Sequence, residues 1–363
     1  MGLTYRCACF AIPFNLLDAA PLSDNDAAAK PQSSIDEASR LRAKRTAIAM
    51  RKKVVPPKKA PFEIGRYRRQ VFDVGNGKDL PGKLTRTEGQ KPAGDIAVDS
   101  AYDNVGTALD FYFQVFKRDS VNDRGAIVKS AVHYDVDFDN ALWTGTMMVF
   151  GDGNLTKGLS RFTESIDLIA HELSHAVIQN LIPGGLGAVR IPVSKRTVEG
   201  WTHELRGEAG SLNESFADVM GSLVKQWQLK QNVRTADWLM GTDVLDDSRG
   251  IAIRSLKDPG NRQMTHPRDG QVKNMHQYSE GMHVHNGSGI PNHAFYLAAK
   301  AIGGFAWEKT GLIWYDAFAT LKPLAKFSDA AKATLRIARR RFGDKSKEFK
   351  AVAAAWNDVN VIS

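Results

Sequence analysis

The chain has 363 residues, of which 43% are hydrophobic and 25% charged, with 49 Lys and Arg against 40 Asp and Glu. These proportions are those of a globular protein and exclude a low-complexity or disordered chain, and no apolar run reaches the length that spans a bilayer. The net charge of +9 is local: twelve Lys or Arg and one acid, Glu63, fall between Arg40 and Arg69, so the remainder is close to neutral and no nucleic-acid partner is expected.

Taken in chain order, Met1–Phe14 is apolar but has no charged leader. Secretion without a standard signal peptide is therefore the expected location, with the cytoplasm as the alternative. Cys7 and Cys9 are the only cysteines. One intervening residue makes a bridge between them strained, and a thiolate contact to a metal is the lesser reading beside a merely structural one. An Ala/Ser/Asp-rich stretch follows, then a basic segment containing Val55-Pro-Pro-Lys-Lys-Ala-Pro61, which reads as an exposed linker open to proteolysis. Residues 1–61 form a head and linker on this reading.

From about residue 62 to 160, Gly, Asp and Asn separate short alternating runs such as Gln70–Val74 and Lys129–Tyr134, with one helix expected at Val98–Phe116. Helical patterns dominate afterwards. The segments Gly311–Ala325, Ser328–Gly343 and Lys345–Val359 each read as a helix, the second opening on a capping serine and stopping at a glycine. The expected architecture is a β-rich lobe at 62–205 followed by an α-helical lobe at 206–363.

The strongest chemical signal is Asp167-Leu-Ile-Ala-His171-Glu172-Leu-Ser-His175. Positions i and i+4 share a helix face, so His171 and His175 can present two imidazoles to one ion, with Glu172 beside it as general base. Downstream, Ser211-Leu-Asn213-Glu214-Ser-Phe-Ala-Asp218 places two carboxylates four apart on a second helix. Two histidines and Glu214 leave one position open on tetrahedral zinc, the arrangement of a catalytic site. Asp218 is then placed to accept the free N–H of a liganding histidine. Ser211 and Glu214 also fit a helix capping box, a reading that explains neither Asp218 nor the histidine pair.

With these motifs the chain resembles the thermolysin-like metallopeptidases, the gluzincins. Arg69–Asp73, Leu80–Leu84, Asp99–Asp103, Asp139–Trp143, Met148–Gly153, Ala252–Leu256 and His283–His293 extend the likeness from about Arg66 to the C-terminus. The resemblance implies an α+β, two-lobed fold with the zinc site in the cleft between the lobes. It implies that His285 stabilises the oxyanion with Glu280 as its acidic partner, and that Arg254 supports the substrate backbone and Asp218. Asn213 belongs to the same motif as Glu214. Asn140 and Ala141 correspond to the cleft edge that pairs with a peptide. Phe162, Leu168, Met240, Val244 and Ile253 correspond to the pocket for a large apolar side chain, although each taken singly reads as core. The head resembles the short prodomains of protealysin-like members, with Ile12-Pro13-Phe14 at their signature. A monomeric zinc endopeptidase, inhibited in cis by its own prodomain and acting on peptides and proteins, is the expected function.

Two departures from the family pattern stand out. The third ligand lies farther from His175 than the family places it, so about Ala188–His203 reads as an inserted loop near the cleft. Leu205 stands where the family has a tyrosine, so either His203 substitutes for that donor or catalysis is slower. A peptidase-like protein with weak or no proteolysis is the alternative. The family's double-calcium site is expected to be lost: Asp167 and Asp237 match it, but Lys225, Leu239 and Thr242 replace acids, and an ammonium repels calcium.

Overall fold

A computed structural model describes residues 31–51, 69–154, 159–160, 162–192, 201–245 and 250–363. Cys7, Cys9, Ile12–Phe14 and the Val55–Pro61 linker lie outside these residues, as does the side chain of His203.

The first element among the described residues is a helix, α1 (Pro31–Arg51). It runs through part of the basic stretch expected to be an exposed linker, which is a correction for residues 40–51. The reason is a stripe at helical spacing: Leu41, Arg45 and Ala49 are all buried. A strand pair, β1 (Arg69–Asp73) and β2 (Lys83–Thr87), precedes α2 (Ile96–Phe116). Asp95 caps α2 by accepting from the Val98 N–H, and the helix ends at Lys117 in the left-handed conformation. Strands β3 (Val128–Val132), β4 (Ala141–Trp143) and β5 (Met148–Phe150) complete a five-stranded sheet in the order β2-β1-β3-β5-β4. Its β1–β3 and β3–β5 pairs are parallel and the outer pairs antiparallel, which makes β4 an edge strand.

Two short strands, β6 (Gly153–Asn154) and β7 (Leu159–Ser160), lead to α3 (Ile166–Leu181), the helix of the histidine motif. The segment expected to be an inserted loop is not a loop in its described part. That part is an antiparallel pair, β8 (Ala188–Pro192) and β9 (Trp201–Leu205), that packs against α1.

The second lobe begins with α4 (Gly207–Gln228), and α3 and α4 pack along each other as the central contact of the molecule. A small pair, β10 (Leu239–Met240) and β11 (Arg254–Ser255), follows. Then come α5 (Val284–Gly287), α6 (Gly289–Ile302), α7 (Thr310–Phe318), α8 (Phe327–Phe342) and α9 (Lys347–Asp358). The helix expected at Gly311–Ala325 stops at Phe318, because Pro323 disfavours helical geometry before it and supplies no N–H. Trp314 and Trp356, both buried, stack at 5.9 Å and tie α7 to α9. The fold is α+β, with a mixed-sheet N-terminal lobe and a helical C-terminal lobe. No helix among the described residues is long and apolar enough to cross a membrane.

Candidate metal centre

Helix α3 is buried along nearly its whole length, and so is α4. Two helices this enclosed must place their polar side chains on each other, and His171, Glu172, His175, Glu214 and Asp218 all meet at that contact, each at most 1% exposed. Ser211 lies inside α4, not at its start, so the capping-box reading of Ser211 and Glu214 falls.

Three donor atoms converge. His171 Nε2 and His175 Nε2 lie 3.1 Å apart, and each is 3.5 Å from Glu214 Oε2. Tetrahedral zinc with bonds of about 2.1 Å sets its donors roughly 3.4 Å apart, so these spacings suit one zinc ion. The orphaned atoms agree: both carboxylate oxygens of Glu214 and Oε1 of Glu172 are buried with no hydrogen-bond partner. Buried acceptors left this way are costly unless a cation satisfies them.

The supporting residues fix the ring orientations. Asp218 Oδ1 is 2.9 Å from His171 Nδ1. Asn213 Oδ1 is 2.9 Å from His175 Nδ1, while the Asn213 amide donates to the Leu186 carbonyl. Asp218 and Asn213 thus face the two outer nitrogens, which turns the Nε2 lone pairs toward the shared point. Arg254 donates to Asp218 at 2.8 and 3.1 Å, and Asn292 donates to its other oxygen. Asn292 was not singled out in the sequence; its place one turn into α6 gave no signal, and only the fold brings it to Asp218.

Glu172 stands beside the cluster, with its Oε2 accepting the Trp143 N–H at 2.6 Å and its Oε1 4.0 Å from His171 Nε2. Burial pushes its carboxyl up to about 7, against the opposing charges of His171 and Arg45. Burial opposes charge on His171 as well, but Asp218 and Glu214 outweigh it and raise that imidazole to about 9. Burial and the Arg45 charge take His175 down to about 4. Burial would raise Asp218, yet Arg254 and His171 hold it down at about 2.

The remaining expected residues divide. His285 belongs to the cluster, its Nε2 being 3.2 Å from Glu214 Oε2. Glu280 does not join it: its carboxylate is exposed and forms neither a hydrogen bond nor an ion pair with His285 among the described residues. Asn140 and Ala141 sit at the start of the edge strand, the Ala141 N–H donating to Asn140 Oδ1. Phe162, Leu168, Met240, Val244 and Ile253 are each at most 2% exposed within the main hydrophobic cluster. Leu205 is buried against Ala188 and Val284, next to His285. Lys225 reaches Asp237 at 3.1 Å, Asp167 at 3.5 Å and the Leu239 carbonyl at 3.2 Å.

Sequence comparisons agree with this geometry. Residues 65–179 match the family described as thermolysin metallopeptidase, catalytic domain, and residues 203–361 match thermolysin metallopeptidase, alpha-helical domain. The chain is 39% identical over 317 residues to an extracellular metalloprotease of Pectobacterium carotovorum subsp. carotovorum, covering 84% of this chain and 85% of that one. It is 40% identical to protease PrtS of Photorhabdus sp. (strain Az29), covering 81% of this chain and 76% of that relative. The precursor of protealysin, a metalloproteinase from Serratia proteamaculans, superposes with a TM-score of 0.72 at 38% identity, over 89% of this chain and 97% of that one. On this evidence the chain belongs to the thermolysin metallopeptidase family and is a metalloendopeptidase.

Proposed function

We propose that the chain is a zinc-dependent neutral endopeptidase made as a zymogen, with His171, His175 and Glu214 as the ligands and Glu172 as the general base. The observation that carries this reading is the near-tetrahedral spacing of three buried donor atoms with Glu172 beside them. Zinc, when bound, lowers the pKa of a water molecule and polarises the scissile carbonyl. Glu172 accepts the proton of the attacking water; the Trp143 N–H holds its Oε2, leaving Oε1 to face the reaction. His285 donates to the developing oxyanion. As the C–N bond breaks, Glu172 passes its proton to the leaving amine, and no covalent enzyme intermediate forms. Asp218, steadied by Arg254 and Asn292, keeps His171 in its tautomer.

Cleavage before a large hydrophobic residue follows from assigning the apolar wall of Phe162, Leu168, Met240, Val244 and Ile253 to the specificity pocket. Peptide pairing is assigned to the edge strand at Asn140 and Ala141. Residues 1–61 are assigned to the prodomain and linker, 62–205 and 206–363 to the two lobes. Secretion fits the extracellular naming of the Pectobacterium relative. Lys225 fills the place of the double-calcium site, an internal cation among the carboxylates.

The variant Glu172→Gln tests the mechanism. One zinc per chain should remain while casein cleavage falls by about a hundred- to ten-thousandfold. Cleavage at the wild-type rate would overturn the role given to Glu172. Leu205, which brings no polar atom to the oxyanion, favours a second reading: a zinc-binding protein with little proteolysis. Turnover of an internally quenched peptide by the processed chain separates the two.

A further inference from the structure

Away from the metal centre, a cavity of about 520 Å³ opens where α2, the end of α4 and the segment between α6 and α7 meet. That volume lies within the roughly 300–1,000 Å³ of small-ligand sites. The α4 end of the cavity is roughly 20 Å along the helix from Glu214, so it stands apart from the ligand cluster. Three aromatic rings line it. Trp227, at the end of α4, is pinned to the core by an edge contact with Phe111 at 5.9 Å. Phe305 and Trp307 stack on each other, with centroids 4.6 Å apart and planes 27° from parallel. The local backbone explains this pair: Gly303 and Gly304 take φ of +84° and +75°, a path open to glycine, and the Glu308 N–H closes a turn onto the Phe305 carbonyl. The Val233 N–H donates to the Gly304 carbonyl at 3.0 Å, which ties this segment to the loop that follows α4.

The rest of the lining is polar and mixed in sign. Thr107 and Asp110, one turn apart on α2, supply a hydroxyl and a carboxylate, while Gln228 and Lys230 supply an amide and an ammonium. Lys230 sits in the left-handed conformation at a φ of +53°, its N–H donating to the Trp227 carbonyl. Among the described residues, no hydrogen bond or ion pair engages the side chains of Asp110, Gln228 or Lys230. One negative and one positive group on the same rim give a charged ligand no net advantage, since it gains from one and loses to the other. A neutral ring with an apolar face and an edge of hydroxyls satisfies both parts of the lining. Its C–H face lies on the electron-rich faces of the aromatic rings, and its hydroxyls bond to the polar groups around them. A hexose unit has that chemistry. We propose that this cavity is a binding site for a neutral saccharide, with Phe305 and Trp307 as the stacking platform and Asp110, Gln228 and Lys230 as the hydroxyl partners. The inference is independent of the peptidase reading, because no residue of the cavity belongs to the metal centre.

The test is calorimetric titration of the full-length chain with four neutral trisaccharides: cellotriose, maltotriose, chitotriose and mannotriose. At least one should bind with a Kd of about 1 mM or tighter. Phe305 is neither part of the main hydrophobic cluster nor packed against it, whereas Trp307 is packed against it. Phe305→Ala should therefore leave the melting temperature as it is and weaken binding by about tenfold, the loss of one stacked ring. Asp110→Asn keeps the shape but loses the charged acceptor, and should weaken binding by about threefold to tenfold. Tetramethylammonium, the probe for a cation site, should give no binding heat. No heat from any of the four sugars, or a Kd that Phe305→Ala leaves unchanged, would overturn the proposal. Tetramethylammonium binding that disappears in Phe305→Ala would overturn the saccharide assignment in favour of a cation site.

Discussion

At the scale of single residues, the candidate site rests on carboxylates whose charge is held by specific neighbours. Asp218 is buried between His171, Arg254 and Asn292. Replacing it by Asn keeps the shape but removes the charge that orients His171 and balances Arg254. Zinc affinity, measured by competition with a chelator, should drop about ten- to a hundredfold. Unchanged affinity would show that the Asp218 contact is incidental. His133 is a second case, away from the centre. Its ring nitrogens face Asp152 at 2.8 Å and Asp95 at 3.2 Å, linking the cap of α2 to the turn after β5. Burial opposes its charge, yet the two carboxylates outweigh this and raise it above 6.5. The folded state therefore holds the proton more tightly than the unfolded chain, so the stabilisation is complete below pH 6.5 and is lost as pH rises through the folded value. Wild type should melt above His133→Asn at pH 6, and the gap should narrow at pH 9. A gap that widens with pH would contradict the assignment.

At the scale of elements, Lys225 joins α4 to the start of α3 and to β10 through Asp167, Asp237 and the Leu239 carbonyl. Burial lowers the proton affinity of its ammonium, but the Asp167 and Asp237 charges outweigh this and raise it. Asp167 is fully buried, though Ser165 and the Gly241 N–H also donate to it. Lys225→Met should thus destabilise the fold by about 3 kcal/mol, the low end for breaking a buried pair, as read by urea unfolding. A loss below about 0.5 kcal/mol, the size of an ordinary surface substitution, would mean that the lysine is idle. The same elements show what the sequence could and could not reveal. Helix α2 was legible to within two residues because its apolar period is unbroken and Asp95 caps it. Helix α1 was not, because a charged residue sits in the middle of its buried stripe and the flanking Lys and Arg make the segment read as solvated linker. The β8–β9 pair was missed because eight residues separate Ala188–Pro192 from Trp201–Leu205, with no tight two-residue turn signature to mark a hairpin. For the candidate ligands, helical periodicity indicates that His171 and His175 share one face and Glu214 and Asp218 another, but only the packing of the two helices brings Glu214 to the histidines.

At the scale of the whole molecule, the two lobes supply different parts of one site. The N-terminal lobe gives the edge strand and the histidine helix, and the C-terminal lobe gives Glu214, Asp218, Arg254 and His285. Glu280 illustrates the limit of carrying a pattern over by position: the local turn leaves it in solvent, and only the folded chain reveals that. The central claim is that both lobes converge on one divalent ion. Anomalous diffraction at the zinc edge, from crystals of the zinc-loaded chain, tests it most directly. One peak is predicted, about 2.1 Å from His171 Nε2, His175 Nε2 and a Glu214 oxygen. A peak held by other donors, or none at these three residues, would contradict it.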